Sequence, residues 1–173
     1  MADPENSLGL KPNLMHKTLL LLGTNLGDRN LNLDTAMRMI SREIGLLEQK
    51  SSVYETQAWG KEDQGPYLNQ VLLVSTSLSA EVLMRKILEV ESDMGRVRAG
   101  KWEPRIIDID ILFFDNDVIH VPGLDVPHPH LHERKFTLVP LAELIPHYIH
   151  PEIGKSVGQL LREVDDPLDV HQK

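Results

Sequence analysis

The chain contains no cysteine, so neither disulfides nor thiolate chemistry can contribute to its stability or function. This absence is compatible with a reducing compartment. The chain also lacks a hydrophobic run long enough to span a bilayer, and residues 1–13 carry no basic segment of the kind that begins a signal peptide. We therefore expect a cytoplasmic protein with no membrane partner.

Positive charge is scarce as well. The chain has 18 Lys and Arg residues against 26 Asp and Glu residues, which gives a net charge of −8 at pH 7. An extended nucleic-acid interface needs an excess of cations to neutralise phosphates, so we expect no nucleic-acid partner. A local cluster of cations on such an acidic chain is suited to a small anion instead.

The residues that are present describe an ordinary globular protein. Of its 173 residues, 41% are hydrophobic and 25% are charged, which fits a single domain with a substantial core. We expect a flexible tail at residues 1–16, one domain at residues 17–165, and a second flexible tail at residues 166–173. No internal repeat or low-complexity segment is present.

Hydrophobic patterning predicts strands at residues 17–22, 47–56, 67–77 and 106–114, with helices after the first and third strands. The order β-α-β-β-α-β predicts an α+β fold of the ferredoxin-like type. In this arrangement the two helices cover one face of the sheet and leave the other face for a ligand. An extra short strand at residues 118–121 and C-terminal helices near residues 134–144 and 156–164 complete the prediction.

Residues 95–114 bring two opposite chemistries together. A loop rich in glycine and proline contains the cations Arg96, Arg98, Lys101 and Arg105. The apolar strand that follows contains Asp108 and Asp110, whose side chains leave the same face with Cα atoms roughly 6.6 Å apart. Two such carboxylates repel each other and are costly to bury. A divalent cation such as Mg²⁺ removes both problems, and the cations upstream suit its polyphosphate partner.

The same residues allow a second interpretation, in which the aspartates are simply paired with the arginines as salt bridges. The short D-x-D motif does not decide between a metal site and ion pairs. Arg105 adds a constraint, because strict alternation would point it away from both aspartates. It can join them only where it precedes the regular strand, which Pro104 favours.

Other polar residues also have two interpretations. Tyr67 and Asn69 share one strand face and suit a planar, hydrogen-bonding heterocycle, although a core tyrosine beside a satisfied asparagine is equally consistent. Glu91 alone is typical of a solvated helix charge. The turn at residues 23–28 could hold an anion at a helix N-terminus, but it lacks the P-loop lysine and a plain turn is favoured.

A histidine motif, H-x-H-x-H, comprises His128, His130 and His132. In an extended segment the three rings could face one way and bind a transition metal. No carboxylate partner is evident in the sequence, so a single histidine contacting a phosphate is the favoured interpretation.

Together these motifs resemble the 6-hydroxymethyl-7,8-dihydropterin pyrophosphokinases, enzymes of folate biosynthesis. The resemblance runs from about residue 18 to residue 161. Its most specific part is G-R-V-R from Gly95, then Trp102, then P-R-I-I-D-I-D ending at Asp110. Supporting matches are G-T-N-L-G at 23–27, Y-E-T at 54–56, Gly60, Y-L-N at 67–69, V-P-H-P at 126–129, Arg134 and Phe136.

The resemblance implies transfer of a pyrophosphoryl group from ATP to the pterin hydroxymethyl oxygen, with release of AMP. It implies that Asp108 and Asp110 hold two Mg²⁺ ions, and that Arg96 and Arg105 neutralise charge at the β-phosphoryl group. The implied ATP-binding residues are Glu91, Arg98, Lys101, His128 and Arg134. The implied pterin-binding residues are Thr56, Gln57, Trp59, Tyr67, Asn69, Trp102 and Phe136.

Three positions depart from the family pattern. Gln57 stands where proline is usual, the link from Arg98 to Trp102 is about one residue short, and Leu88 offers no polar contact near the adenine. None removes a metal ligand or an essential charge. We expect a monomer whose partners are its small-molecule substrates. The alternatives are a metal-dependent phosphohydrolase and a non-catalytic nucleotide- or pterin-binding module.

Overall fold

The structure is a computed structural model that describes residues 14–58, 64–97 and 103–173. Its strands are β1 (His16–Thr24), β2 (Leu46–Lys50), β3 (Tyr54–Thr56), β4 (Tyr67–Thr76), β5 (Asp108–Phe114), β6 (Ile119–Val121), β7 (Leu124–Val126) and β8 (Val170–Gln172). Its α-helices are α1 (Arg29–Glu43), α2 (Ala80–Asp93), α3 (Lys135–Leu144) and α4 (Val157–Glu163). None of these helices is long and apolar enough to cross a membrane.

The main sheet is antiparallel, with the order β5-β1-β4-β3-β8 and with β2 also paired to β4. Strand β1 is an interior strand of the sheet, paired with β4 on one side and with β5 on the other. Helices α1 and α2 follow β1 and β4, as the sequence predicts. The ferredoxin-like fold class is therefore confirmed.

The first sheet face packs on α1 and α2. Alternate residues of β1, including Leu20 and Leu22, are fully buried against Ile40 of α1 and against Leu83 and Ile87 of α2. Asp28 and Ser79 cap the two helices through their side-chain oxygens. Capping satisfies N–H groups that the first helical turn leaves without partners.

The second face is partly covered, which differs from the expectation that it would be open. Helices α3 and α4 pack their apolar residues on Leu19, Leu21 and Phe113. The sequence predicted both helices, but not that they would return to the sheet. The end of this face where Gly23 and Asp108 lie is not part of this packed cluster, and we call it the open end.

The predicted second strand at residues 47–56 is divided into β2 and β3. At the break, the Ser51 hydroxyl accepts a hydrogen bond from Val71 N at 3.0 Å, and the Ser51 carbonyl accepts one from Gln70 Nε2 at 2.7 Å. These bonds replace the regular ladder and let β3 continue along β4 after a bend.

Residues 166–173, where the sequence analysis expected a flexible tail, contact the rest of the fold. Strand β8 pairs with β3, and Asp166 is buried. The short segment has little apolar content, and its contacts depend on distant partners, so no local pattern could reveal them. The expected tail at residues 1–16 largely precedes residue 14 and lies outside the described residues, but His16 already belongs to β1.

Candidate active site

The site lies at the open end of the second sheet face, where three strands align their polar residues. Asp108 of β5 is opposite Gly23 of β1, and Gly23 is opposite Asn69 of β4. A Cβ at position 23 would lie 3.2 Å from Asn69 Oδ1 and 3.9 Å from Tyr67 Cδ1. The absence of a side chain at Gly23 therefore leaves room between the acidic residues and the Tyr67–Asn69 pair.

Two guanidinium groups converge on Asp108. Arg96 Nη1 lies 2.8 Å from Asp108 Oδ1, and Arg105 Nη1 lies 2.8 Å from Asp108 Oδ2. Strand β5 begins at Asp108, so Arg105 precedes the regular strand, as its participation requires. The ion-pair interpretation thus describes Asp108 in this structure.

Glu91 lies beneath Arg96 and is not a solvated helix charge. Only 4% of its side chain is exposed, and its Oε1 lies 2.6 Å from Arg96 Nη1. The same oxygen accepts a hydrogen bond from Ile109 N at 2.8 Å. A buried carboxylate between a strand amide and a guanidinium fixes the side chain of Arg96.

Asn25 is a site residue that the sequence analysis missed. Its Oδ1 accepts a hydrogen bond from Arg105 N at 2.8 Å, and its own N–H donates to the Arg105 carbonyl at 3.1 Å. These two bonds fix the backbone of Arg105 to the turn after β1. The G-T-N-L-G motif was a signal for Asn25, but the interpretation as a plain turn gave it no partner.

Asp110 differs sharply from Asp108. Among the described residues no hydrogen bond reaches its carboxylate, and the nearest cation-forming group is His128 Nε2 at 4.0 Å. Burial and the neighbouring Asp108 carboxylate together raise the pKa of Asp110 to about 7. About a third of the side chain, 33%, remains exposed, so the carboxylate is available to a ligand.

His128 stands beside Asp110 as a neutral group. Burial and the nearby Arg134 cation lower the pKa of His128 to about 4, so the ring carries no charge at neutral pH. A neutral imidazole can donate one hydrogen bond to a phosphate oxygen without adding charge. The other two histidines of the motif lie near one carboxylate, with His130 Nδ1 3.0 Å from Glu133 Oε2 and His132 Nε2 3.7 Å from Glu133 Oε1. The ring of His132 also faces the ring of His150.

The donor set fits a hard divalent cation only in part. The described residues contain no group of three His, Asp or Glu side chains placed to hold a metal ion. Two carboxylates with the remaining positions open are typical of Mg²⁺, which keeps waters and substrate phosphates as ligands. The H-x-H-x-H histidines form no such group either, as far as the described residues go.

The predicted pterin residues from β3 and β4 lie together. Asn69 Nδ2 donates to Thr56 Oγ1 at 3.1 Å, and Thr56 is opposite Tyr67 in the β3–β4 register. Burial raises the pKa of Tyr67, which remains a neutral phenol. Gln57 follows directly after β3 and is exposed.

Phe136 and Arg134 enter from the other side of the site. Phe136 is the second residue of α3, and the guanidinium of Arg134 lies 5.8 Å from the centre of its ring. Arg134 also acts on the charge state of Asp110, which places it within electrostatic reach of that carboxylate. One cation is therefore near the Phe136 ring and also acts on Asp110 through its charge.

A pocket adjoins Asp110, and apolar side chains such as Met84 and Leu124 line part of it. Its lining residues are Met84, Asp110, Ile111, Gly123, Leu124, Asp125, His128 and Pro129. The four remaining predicted site residues, Trp59, Arg98, Lys101 and Trp102, lie outside the described residues.

A carboxylate pair, two converging guanidinium groups and an adjoining pocket are typical of proteins that act on an anionic, phosphate-bearing substrate. Comparison of the chain with known protein families identifies the particular family. A sequence model described as 7,8-dihydro-6-hydroxymethylpterin-pyrophosphokinase (HPPK) matches residues 19–146, and the chain belongs to this family. The family resemblance drawn from the motifs is thereby confirmed.

Curated relatives agree with this assignment. A 2-amino-4-hydroxy-6-hydroxymethyldihydropteridine pyrophosphokinase of Aquifex aeolicus is 45% identical over 149 residues, covering 86% of this chain and 92% of the relative. The enzyme of the same name from Synechocystis is 36% identical over 155 residues, covering 89% and 79%.

Solved structures support the fold. A crystal structure of Plasmodium falciparum HPPK-DHPS with pterin and p-hydroxybenzoate matches with a TM-score of 0.69 at 18% identity. The match covers 89% of this chain and 42% of that one, so the chain spans less than half of that two-part protein.

Proposed function

We infer that the protein transfers a pyrophosphoryl group from ATP to the hydroxymethyl group of 6-hydroxymethyl-7,8-dihydropterin. In this reaction the hydroxymethyl oxygen bonds to the β-phosphorus, and the bond from that phosphorus to the α,β-bridging oxygen breaks. AMP leaves with the electron pair, and the hydroxyl proton is lost. The observation that carries the inference is the convergence of Arg96, Arg105, Asp108 and Asp110 beside Tyr67 and Asn69, in a chain of this family.

Asp108 and Asp110 are the proposed ligands of two Mg²⁺ ions. Support comes from the position of Asp110 beside Asp108 on one strand face, and from its carboxylate, which accepts no hydrogen bond from the described residues. When bound, such ions neutralise phosphate charge and orient the polyphosphate. Asp108 can take part only after Arg96 or Arg105 releases one of its oxygens.

Arg96 and Arg105 are the proposed catalytic cations. Each is held from behind, Arg96 by Glu91 and Arg105 through its backbone by Asn25. A preorganised cation stabilises charge that develops on the transferring group without reorganisation at the moment of reaction. Glu91 was predicted in the ATP-binding set, and we propose that it acts by positioning Arg96.

The pterin is proposed to lie between Tyr67 and Phe136, with Asn69 and Thr56 at its polar edge. The spacing left by Gly23 and the neutral phenol of Tyr67 favour a flat, uncharged heterocycle. Gln57 stays in the proposed set because it directly follows Thr56. Trp59 and Trp102 remain proposals from the family resemblance alone.

ATP is proposed to occupy the other side of Asp110. Its adenine suits the apolar pocket around Met84 and Leu124, and its phosphates would meet His128 and Arg134. Arg98 and Lys101 remain proposed phosphate contacts from the resemblance. Two substrates on opposite sides of one carboxylate pair would meet at the metal-bound β-phosphoryl group.

Phosphorus NMR of ATP, Mg²⁺ and 6-hydroxymethyl-7,8-dihydropterin with the protein tests the reaction. We expect AMP and a pterin diphosphate. ADP with free phosphate would instead indicate a phosphohydrolase, and unchanged ATP with folded protein would indicate a binding module. The same mixture without Mg²⁺, or without pterin, is the control and should give no AMP.

We further propose a cytoplasmic monomer without nucleic-acid or membrane partners. The net charge of −8 and the lack of cysteine support this proposal. Sedimentation equilibrium at 5 and 100 µM protein would test the monomer, because a concentration-dependent mass would overturn it.

A further inference from the structure

Residues 166–173 contact the two elements that would flank the pterin. We call these elements the walls of the proposed site: the start of α3, with Phe136, and strand β3, with Thr56. At one end of this segment, Asp166 is buried and its Oδ2 accepts a hydrogen bond from Lys135 N at 2.9 Å. Lys135 is the first residue of α3 and directly precedes Phe136. The residue at the N-cap position, Arg134, makes no capping hydrogen bond with its side chain, so Asp166 provides the cap from a distance.

At the other end, β8 pairs with β3. Val170 is opposite Thr56, and the backbone N–H of Lys173 donates to the Val53 carbonyl at 2.9 Å. The side chain of Gln172 also donates to Ser52 Oγ at 3.1 Å. Without β8, the three-residue strand β3 would be an edge strand with one row of unpaired backbone groups.

The two contacts meet different walls of one site. The Asp166 contact fixes the start of α3, where Phe136 lies, and the β8 contact fixes β3, where Thr56 hydrogen-bonds to Asn69. None of residues 166–173 belongs to either hydrophobic core cluster. The segment therefore adds hydrogen bonds at the site rather than core packing.

We propose that residues 166–173 form a brace that sets the spacing of the pterin-binding walls and thereby the affinity for the pterin. Asp166 is a positioning residue at one end, and β8 acts at the other. This inference rests on the proposed function. Glu143 joins the same walls independently, through Ser52 and Tyr54, so loss of the brace should loosen the site without separating its parts.

The test compares the unaltered protein with two variants, a shortened chain and a single substitution. One chain ends at Asp169 and lacks β8, and the other carries Asp166→Ala. We expect the KM for the pterin to rise about tenfold in the shortened chain and about fivefold in Asp166→Ala. In the shortened chain the KM for ATP should stay within twofold, because β8 pairs with β3 on the pterin side. In Asp166→Ala the KM for ATP should rise by less than the KM for the pterin, because Arg134, a proposed phosphate contact, directly precedes Lys135. The matched control is Asp165→Ala, an exposed neighbour that should leave both KM values unchanged.

A direct binding measurement separates positioning from general destabilisation. Titration of the pterin into each variant by calorimetry, without ATP, should show the same loss of affinity as the kinetics. Unchanged pterin affinity in both variants would overturn the brace, and so would equal increases in both KM values with a lowered unfolding temperature. If the shortened chain does not fold, Asp166→Ala alone decides by the same criteria. Failure of the unaltered protein to form AMP would refute the proposed function instead.

Discussion

Replacing Glu91 with glutamine should separate the electrostatic support of Arg96 from its packing. Glu91 Oε1 lies 2.6 Å from Arg96 Nη1 and 2.8 Å from Ile109 N. Only 4% of the Glu91 side chain and 13% of the Arg96 side chain are exposed. Glutamine has nearly the same volume and keeps one acceptor for Ile109 N. It removes the negative charge that compensates a buried guanidinium.

The magnitude follows from burial. Breaking a buried ion pair by neutralising one partner costs about 3–5 kcal/mol, and the hydrogen bond that glutamine retains brings our expectation to about 3 kcal/mol. For a chain of this size that loss lowers the unfolding temperature by roughly 6–12 °C. Asp108 still pairs with Arg96, so the guanidinium keeps one anchor, and we expect kcat to fall by about tenfold to a hundredfold.

Glu89 provides the control on the same helix. It pairs with Lys86 at 2.8 Å, but 61% of its side chain is exposed. Exposed pairs contribute little, so Glu89→Gln should change stability by less than about 0.5 kcal/mol and leave kcat unchanged. Urea unfolding and steady-state AMP formation measure both effects. The reasoning fails if Glu91→Gln matches this control in stability and in turnover.

Three further substitutions test other parts of the site. Asp110→Asn should leave the far-ultraviolet circular dichroism spectrum unchanged and reduce Mg²⁺-dependent AMP formation at least about a hundredfold, while the exposed Asp117→Asn should behave like the unaltered protein. Arg105→Lys should lower kcat by about a hundredfold, since lysine is a point charge without the guanidinium fork, and an unchanged kcat would contradict its catalytic role. Gly23→Ala should raise the pterin KM several-fold, because its Cβ would meet Asn69 Oδ1 at 3.2 Å, and the ATP KM should not change.

The elements of this fold were largely predictable because their signals are local. Alternation and apolar runs located β1, β4 and β5, and Ser79 marked the start of α2 through its capping chemistry. The return of α3 and α4 to the sheet was not predictable in the same way. Their apolar residues predict that the two helices are buried. The surface on which they pack depends on contacts with residues distant in the chain, which no local pattern indicates.

The candidate site likewise has features that were predictable from local sequence and features that were not. The spacing of Asp108 and Asp110 on one strand face followed from strand geometry. Strand geometry left the side of Arg105 open, and the start of β5 at Asp108 is what brings it to the aspartates. The burial of Glu91 and the bonds from Asn25 to Arg105 did not, because each joins residues that are distant in the chain. A buried carboxylate on a helix has the same local sequence pattern as a solvated one.

The charges of the site indicate how its parts are used together. Glu91, Arg96, Asp108 and Arg105 alternate in sign and form a compensated group, whereas Asp110 stands outside it with a raised pKa. If Asp108 moved away from its two guanidinium partners, its carboxylate would lose both compensating cations, and Arg96 and Arg105 would each lose a carboxylate partner. Under the proposed function, the phosphate oxygens of ATP would take the place of Asp108 beside the arginines, and Mg²⁺ would be the positive partner of Asp108. The compensated group is therefore suited to a substrate that brings both charges with it.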